Sequence, residues 1–443
     1  MPMLTVDEAR TRILAEFQPL TAEDAPLTAT LGRVLAEEIS AAQNIPPFAN
    51  SAMDGFAVHA ADTGGASSAN PTRLRVVGNI AAGYSSLQPL GAGEAMRIMT
   101  GAPLPPGADA VVRFEDTDEA NAAGGLDARG YQGLAAVANL PTAHDAKSIA
   151  DQVSIYVAAS VGQSVRAVGE DIHASELVLK AGTVLRPAEI GVLASLGRVQ
   201  VLVIRRPRVA ILATGDELVE PGAAIDPQQG QIRNSNSYAL AAAIARYGGE
   251  AINLGIARDN VADLSAKIDE GLALKPDLFV TSAGVSLGDY DIVKNVLNER
   301  GQMNFWKVNL RPGKPLTFGR LAGVLLLGLP GNPVSSLVTF DIFGRPALLK
   351  MQGKPVRDFP GVTATLTEPL RNNDGRRFYA RMLVERDPTT GEYTARSAGQ
   401  QGSGVMSTFT RANAYVVVPE DVNLLPAGSQ VQALMFDWGD EVF

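Results

Sequence analysis

The run from residue 208 to about 350 constrains this chain most, because short apolar stretches alternate there with helix-length amphipathic ones. Strands are expected at 208–213, 251–256, 278–281, 305–309 and 324–327. Between them the spacing predicts helices at 237–247, 261–274 and 292–299. Gly248-Gly249 stops the first of these. A further long helix is expected with Asn332 as its cap and Pro333 at its first position, running to about 350. Strands separated by helices join in parallel, so the expected fold class is α/β, with a doubly wound, mainly parallel sheet. In such sheets ligands bind beyond the carboxyl ends of the strands. Three strand ends here stop in small or polar residues: Thr214-Gly215-Asp216, Ser282-Ala283-Gly284 and Leu329-Pro330-Gly331-Asn332-Pro333. A lone Thr-Gly-Asp is most often a plain turn. Three such endings in one α/β unit point to a ligand edge, where backbone N–H groups can approach an anion closely.

Between the second and third endings lie Asp289, Asp291, Lys307, Arg311 and Lys314. Arg311 and Lys314 flank Pro312-Gly313 in an RPGKP turn, which suits an oxyanion clamp: arginine grips flat anions and lysine supplies a point charge. Charges also cluster on ordinary solvated turns. Glu217, Asp259, Asp289 and Asp291 each follow an expected strand end. They are candidates to hold Mg²⁺, a hard cation that takes oxygen ligands, although Asp259 equally suits a plain helix start. The spacing does not say which of them touches metal. The expected ligand is an anionic, phosphorylated small molecule with a divalent metal.

Composition removes several alternatives. At 443 residues the chain exceeds one ordinary core, and two to four domains are expected. A formal net charge of −9 disfavours nucleic acid as a main partner. The sequence has no cysteine and 3 histidines, which excludes disulfides and thiolate chemistry and leaves no convincing zinc or non-haem iron site. No Ser/His/Asp arrangement and no Gly-rich nucleotide fingerprint is present. The opening MPMLTVDEAR does not read as a signal, and no apolar run approaches ~20 residues, so a cytoplasmic protein without a membrane partner is expected.

Outside the α/β run the texture changes. Thr5 reads as an N-cap with acids in the first turn, and a second helix is expected at 28–39. The segment IPPFANSAMDGFAV is rich in turn formers, with Asp54-Gly55 as a tight-turn dipeptide. Residues 73–116 and 154–204 alternate short β-like runs with turns, and a helix is expected at 187–196. Residues 121–151 read as a loop or insertion, and the end of the chain as a β-barrel or sandwich. The expected division is 1–43 with 166–204 as a helical linking domain, 44–165 as a β-rich, lasso-like domain, 205–352 as the α/β domain and 353–443 as a C-terminal β-barrel domain.

Taken together, PPFANSAMDGFAV, GEAMRIMTGAPLPPGADAVV, TGDEL, GQIRNSN, SAGVSLGDYD, RPGKP and LPGNPVSS stand in the order found in the molybdopterin molybdenumtransferase family. The resemblance spans roughly residues 5–440 and extends to the C-terminal domain of gephyrin. It implies an enzyme that inserts molybdate, a substrate, into adenylated molybdopterin and releases AMP with Mg²⁺ assistance. It also implies a homodimer with a shared cleft, and transient contact with the molybdopterin adenylyltransferase and with acceptor molybdoenzymes. By position, Asp54 and Thr100 resemble polar residues presented to the partner's cleft, and Glu217, Asp259 and Asp291 resemble the family's essential and metal-side acids. Thr214, Gly215, Asp216, Pro330 and Asn332 belong to the substrate-facing turns, and Ser282, Gly284 and Ser286 resemble pterin-phosphate contacts. Lys307, Arg311 and Lys314 resemble the anion-binding cations, and Arg381 and Ser403 the molybdate and pterin end of the cleft.

The sequence departs from that pattern in places. Ala49 stands where the family often has Asp, Ala283 replaces the second glycine of SGGVS, Arg311 takes a place often held by Lys, and the 121–151 stretch is long. Two other readings remain open at this level. One is the sister adenylylation of molybdopterin, normally the work of a short single-domain chain. The other is a non-catalytic scaffold that binds a partner protein.

Overall fold

A computed structural model describes residues 3–119, 151–283 and 292–438. The α/β alternation forms a six-stranded sheet in the order Glu250–Ala257, Arg208–Thr214, Leu278–Ser282, Val324–Leu329, Pro315–Leu321, Gly301–Lys307. The first four strands are mutually parallel; Pro315–Leu321 runs antiparallel to both its neighbours, so Gly301–Lys307 points the same way as the first four. Strand Pro315–Leu321 was not expected, and its neighbour spans Gly301–Lys307 in place of 305–309. The cause is local. Ala322 (φ 47°) and Gly323 (φ 90°) both take positive φ, the geometry of a two-residue hairpin turn, so the chain doubles back without a crossover helix.

Both faces of the sheet are covered, which is why its central strands read as continuous apolar runs. Val209 and Ile211 pack with Leu240, Ile244, Val334 and Val338, while Ala210 and Leu212 pack with Leu264, Ile268, Val296 and Leu297. The sheet is doubly wound.

The expected long helix from Pro333 is interrupted. It runs Pro333–Thr339, widens into a π segment at Phe340–Gly344, and resumes over Arg345–Met351. Pro346 lies in the first turn of the last piece and has no N–H to continue an α-helical ladder. The π segment carries the buried Asp341, whose two oxygens accept from Tyr247 Oη and Tyr415 Oη, each at 2.7 Å. Burial pushes the Asp341 carboxyl above its ordinary range, and the two phenols oppose that shift.

At the C-terminal end, strands Gly361–Leu366, Arg377–Arg386, Tyr393–Ser397, Ala414–Val418 and Gln430–Met435 close into a five-stranded barrel. Ala364, Ala380, Ala395, Ala414 and Ala433 give its narrow interior the room that larger side chains would fill. Leu310 and Arg311 pair with Arg377 and Phe378, so the RPGKP turn is stitched to the barrel wall.

The helix at Val6–Ala15 has the expected capping box: Thr5 Oγ1 accepts from Glu8 N at 3.1 Å and Glu8 accepts from Thr5 N at 2.8 Å. The helix expected at 28–39 is absent. After a short 3₁₀ turn at Leu27–Ala29, Leu35 N donates to Thr183 O and Ala36 N to Leu202 O, each at 2.8 Å. Those cross-chain bonds replace the i−4 ladder, and Gly32 at φ 72° breaks the helical path.

Everything above except the end of that segment belongs to one compact unit, made of Met1–Glu37, Ala181–Ile190 and Val199–Phe443. A second unit comprises Glu38–Lys180 and Gly191–Arg198. Its main sheet orders Ala110–Arg113, Gly55–Val58, Glu94–Ile98, Thr72–Ile80 and Gln152–Ile155. Gly55 opens a strand there and is not the turn residue that its Asp-Gly context suggested. A Cβ at this position would overlap the Val112 carbonyl, so close backbone approach is what requires glycine. Residues 121–150 of the expected insertion lie outside the described residues. Among the described residues no helix is long and apolar enough to cross a membrane.

Candidate functional site

Register brings the three strand ends together. Ala213 pairs with Ser282, and Ser282 with Leu329, so the turns that follow emerge side by side at the carboxyl edge of the sheet. A pocket of about 1230 Å³ opens there. It is lined by Thr214, Glu217, Ser282 and Ala283, and by the turn Pro330-Gly331-Asn332. Arg233, Lys307, Arg311, Lys314 and Arg376 also line it, as does loop 401–404, including Ser403.

Asn236 ties two of the turns together. Its Nδ2 donates to Ser282 Oγ and to Gly331 O, both at 2.7 Å. Ala283 sits at φ 79° while its N–H donates to Leu329 O at 3.1 Å. A side chain in that conformation is strained, which is the physical content of having alanine where the family pattern has glycine. Asn332 stands at the N-cap position with extended backbone, but its side chain makes no capping bond and faces the pocket. The first turn of that helix is served otherwise, since Val334 N donates to Ser403 O at 3.1 Å.

The acidic residues divide. Glu217 lines the pocket and its carboxylate lies over Gly215, where any Cβ would overlap it. Gly215 and Asp216 are not among the residues that line the pocket. Asp216 Oδ1 accepts from Asp259 N at 3.1 Å, and Arg258 Nη1 donates to Asp216 O at 3.0 Å. Asp259 therefore supports the Thr214-Gly215-Asp216 turn and is not among the residues around the pocket. Gly284, Ser286, Asp289 and Asp291 lie outside the described residues. Among the described residues no three acidic or histidine side chains group as metal ligands, and of Glu217 and Asp259, the two described members of the expected trio, Glu217 lines the pocket and Asp259 does not.

The cations divide too. Lys307 and Lys314 are exposed and form no ion pair with a described residue. Arg311 lies 4.1 Å over the Phe378 ring, and its Nη1 donates to Asn372 Oδ1 at 3.2 Å. Arg381, expected as a ligand contact, is instead buried beneath loop 401–404. Its Nε donates to Thr408 Oγ1 at 2.6 Å and its Nη2 to Gln400 O and Gly402 O at 3.1 and 3.2 Å. Burial pushes its guanidinium down to about 10, and the charge of Arg311 acts in the same direction. Arg381 shapes the loop that presents Ser403.

Asp54 and Thr100 belong to the second unit and form their own pair there. Asp54 Oδ1 accepts from Thr100 N at 2.7 Å and from Thr100 Oγ1 at 2.8 Å.

Arg376, Asn236 and Gln401 were not singled out from the sequence. Asn236 lay within the GQIRNSN string, which carried a signal. Arg376 reaches the pocket only because strand Arg377–Arg386 pairs beside Leu310–Arg311, and nothing in the linear spacing shows that.

Fold and pocket together define a multidomain α/β protein with a C-terminal β-barrel and a cation-lined cleft at its sheet edge. Family models match in the same order: the MoeA N-terminal region (domain I and II) over residues 4–197, a probable molybdopterin binding domain over 210–350, and the MoeA C-terminal region (domain IV) over 363–436. The chain is 38% identical to molybdopterin molybdenumtransferase 2 of Mycobacterium tuberculosis, covering 95% of this chain and 97% of that one. It is 35% identical to molybdopterin molybdenumtransferase of Haemophilus influenzae, covering 97% and 98% respectively. The crystal structure of the molybdopterin biosynthesis MoeA protein from Pyrococcus horikosii superposes with a TM-score of 0.76 at 32% identity, over 99% of this chain and 100% of that one. The chain belongs to the molybdopterin molybdenumtransferase (MoeA) family.

Proposed function

We propose that this protein is a molybdopterin molybdenumtransferase, which inserts molybdate into adenylated molybdopterin and releases AMP in molybdenum cofactor biosynthesis. The observation that carries the reading is the pairing of Lys307, Arg311, Lys314 and Arg376 with polar strand-end turns around one pocket. Its volume of about 1230 Å³ far exceeds that of a lone tetrahedral anion and suits an organic ligand of pterin-nucleotide size. Molybdate and the phosphates of the pterin substrate are all oxyanions, so the same cations serve both. Lys307 and Lys314 supply point charges, while Arg311, stacked on Phe378, offers a fixed guanidinium plane. Thr214, Ser282 and Asn332 provide hydroxyl and amide groups in the same pocket. The substrate brings its own sulfurs, so no protein nucleophile is required.

Several finer points belong to the same proposal: Mg²⁺ dependence, a homodimer, a cytoplasmic location, the four-part domain division, and contacts with the adenylyltransferase and acceptor enzymes. Glu217 and Asp259, with Asp291, are proposed to answer the Mg²⁺ requirement. Because the described residues gather no three-carboxylate site, no chemical step is assigned to the metal. Asp54 and Thr100 are proposed to act at a cleft shared between subunits.

The test is to mix the protein with adenylated molybdopterin and molybdate, with and without Mg²⁺, and follow AMP. Release that requires molybdate, and that falls in Lys307→Ala and Glu217→Gln, supports the proposal. Tight pterin binding without release would favour the scaffold reading, and ATP consumption would favour adenylylation.

A further inference from the structure

Of the five cations that line the pocket, Arg233, Lys307, Arg311, Lys314 and Arg376, two share a carboxylate that is not itself part of the lining. Asp374 Oδ2 lies 2.5 Å from Arg376 Nη2 and 3.7 Å from Arg311 Nε. Its other oxygen accepts from Arg376 N at 3.2 Å. The turn that carries it is fixed at both ends. Asn372 is fully buried, accepts from Arg311 Nη1 at 3.2 Å and donates to Arg376 O at 2.8 Å. Arg376 Nη1 donates to Leu310 O at 3.1 Å. The Arg311, Asp374 and Arg376 side chains are 27%, 34% and 24% exposed, so solvent only partly screens the cluster.

We propose that Asp374 is a built-in counter-anion that limits how tightly the pocket holds oxyanions. The inference rests on the oxyanion reading of the pocket. An anion entering from the cleft meets Lys307 and Lys314 free of described ion pairs, but meets Arg311 and Arg376 already partly neutralised from behind. Part of the attraction is thereby offset, and the offset grows with ligand charge because the carboxylate repels a dianion twice as strongly as a monoanion. A site built this way retains multiply charged small anions less tightly than the same cations would if none were paired, which favours turnover over trapping. Arginine at position 311 is what allows the arrangement, since only a planar guanidinium can stack on Phe378 while it reaches both Asn372 and Asp374.

The experiment is calorimetric titration of molybdate, and separately of inorganic phosphate, into the full chain and its variants at fixed ionic strength. Asp374→Asn keeps an acceptor for Arg376 N–H and removes the charge. It is expected to bind molybdate about 5- to 20-fold more tightly, with a steeper fall in affinity as salt is added. Asp374→Glu should return affinity toward the parent value, and Asp374→Ser should tighten binding as Asp374→Asn does. Matching thermal unfolding would show that the variants fold alike. If both neutral variants bind as the parent does, or more weakly, while Lys307→Ala loses affinity, Asp374 only positions Arg376 and the proposal is overturned. If the parent binds neither anion, or Lys307→Ala changes nothing, the oxyanion reading itself fails and takes this inference with it.

Discussion

Arg381 and Gln401 hold each other by two bonds: Arg381 N donates to Gln401 Oε1 at 2.9 Å, and Gln401 Nε2 donates to Arg381 O at 2.9 Å. The glutamine side chain thus imitates a β-ladder rung and fixes the loop that carries Ser403 against the barrel. Gln401→Ala leaves the Arg381 N–H without its partner, while the Arg381 carbonyl keeps Ala398 N at 3.2 Å, and should cost about 1–2 kcal/mol of unfolding free energy. Chemical denaturation measures that cost. Molybdate affinity should fall at the same time, because the loop is part of the pocket wall; an unchanged affinity would separate the loop from the site.

Gly313, inside the RPGKP turn, has φ 119°, and a Cβ there would overlap Thr339 Oγ1. Gly313→Ala should therefore destabilise by about 2 kcal/mol or more and displace Arg311 and Lys314. Adding Thr339→Ala relieves the overlap but leaves the backbone strain. The double variant should recover part of the stability, and a thermal melt of all three proteins checks it.

Ala283 at φ 79° makes the opposite prediction. Left-handed backbone costs a non-glycine residue about 1–2 kcal/mol, while glycine adds unfolded-state entropy of about 0.5–1 kcal/mol. Ala283→Gly should thus be neutral to stabilising by about 1 kcal/mol, unlike most glycine substitutions. A clear loss in unfolding midpoint would contradict the strain argument.

Glu189 caps the helix Pro187–Ser195 by accepting from Arg186 N at 2.9 Å, and it also pairs with the Arg186 guanidinium. The side-chain bond to Arg186 leads in holding the Glu189 carboxyl down at about 2, against an ordinary 4.5. The folded value is the lower one, so this stabilisation is present above about 4.5 and is lost as pH falls toward 2. Arg186 is 70% exposed, so solvent screening reduces the effect at neutral pH to about 1 kcal/mol or less. Glu189→Gln should be less stable than the parent at pH 7 by that amount and converge with it near pH 2. Urea midpoints across pH 2–7 measure the difference.

The α/β core was legible in sequence because its signal is local. Apolar runs such as 208–213 and 278–281 must be strands buried on both faces, and the small residues that end them mark the ligand edge. The cations of the RPGKP turn and Glu217 were legible for the same reason, since each adjoins a strand end and lines the pocket. Where the sequence reading erred, distant partners had overridden local preference. Residues 28–39 have helical texture, but Thr183 and Leu202 carbonyls take the N–H groups of Leu35 and Ala36. Gly55 reads as a turn residue until the Val112 carbonyl is placed against it.

By itself, then, the chain determined the strand order of chemistry: which turns are small, where the cations fall, and that a chain without cysteine has no thiol to use. Only the tertiary structure decided which charges meet. The pairing of Leu310–Arg311 with Arg377 and Phe378 joins residues more than 60 positions apart, and it alone brings Arg376 and Asp374 to the pocket cations and Arg381 beneath their loop. Such contacts depend on β-sheet register, which is fixed by the burial of whole strand faces and leaves no mark in the spacing of any one segment.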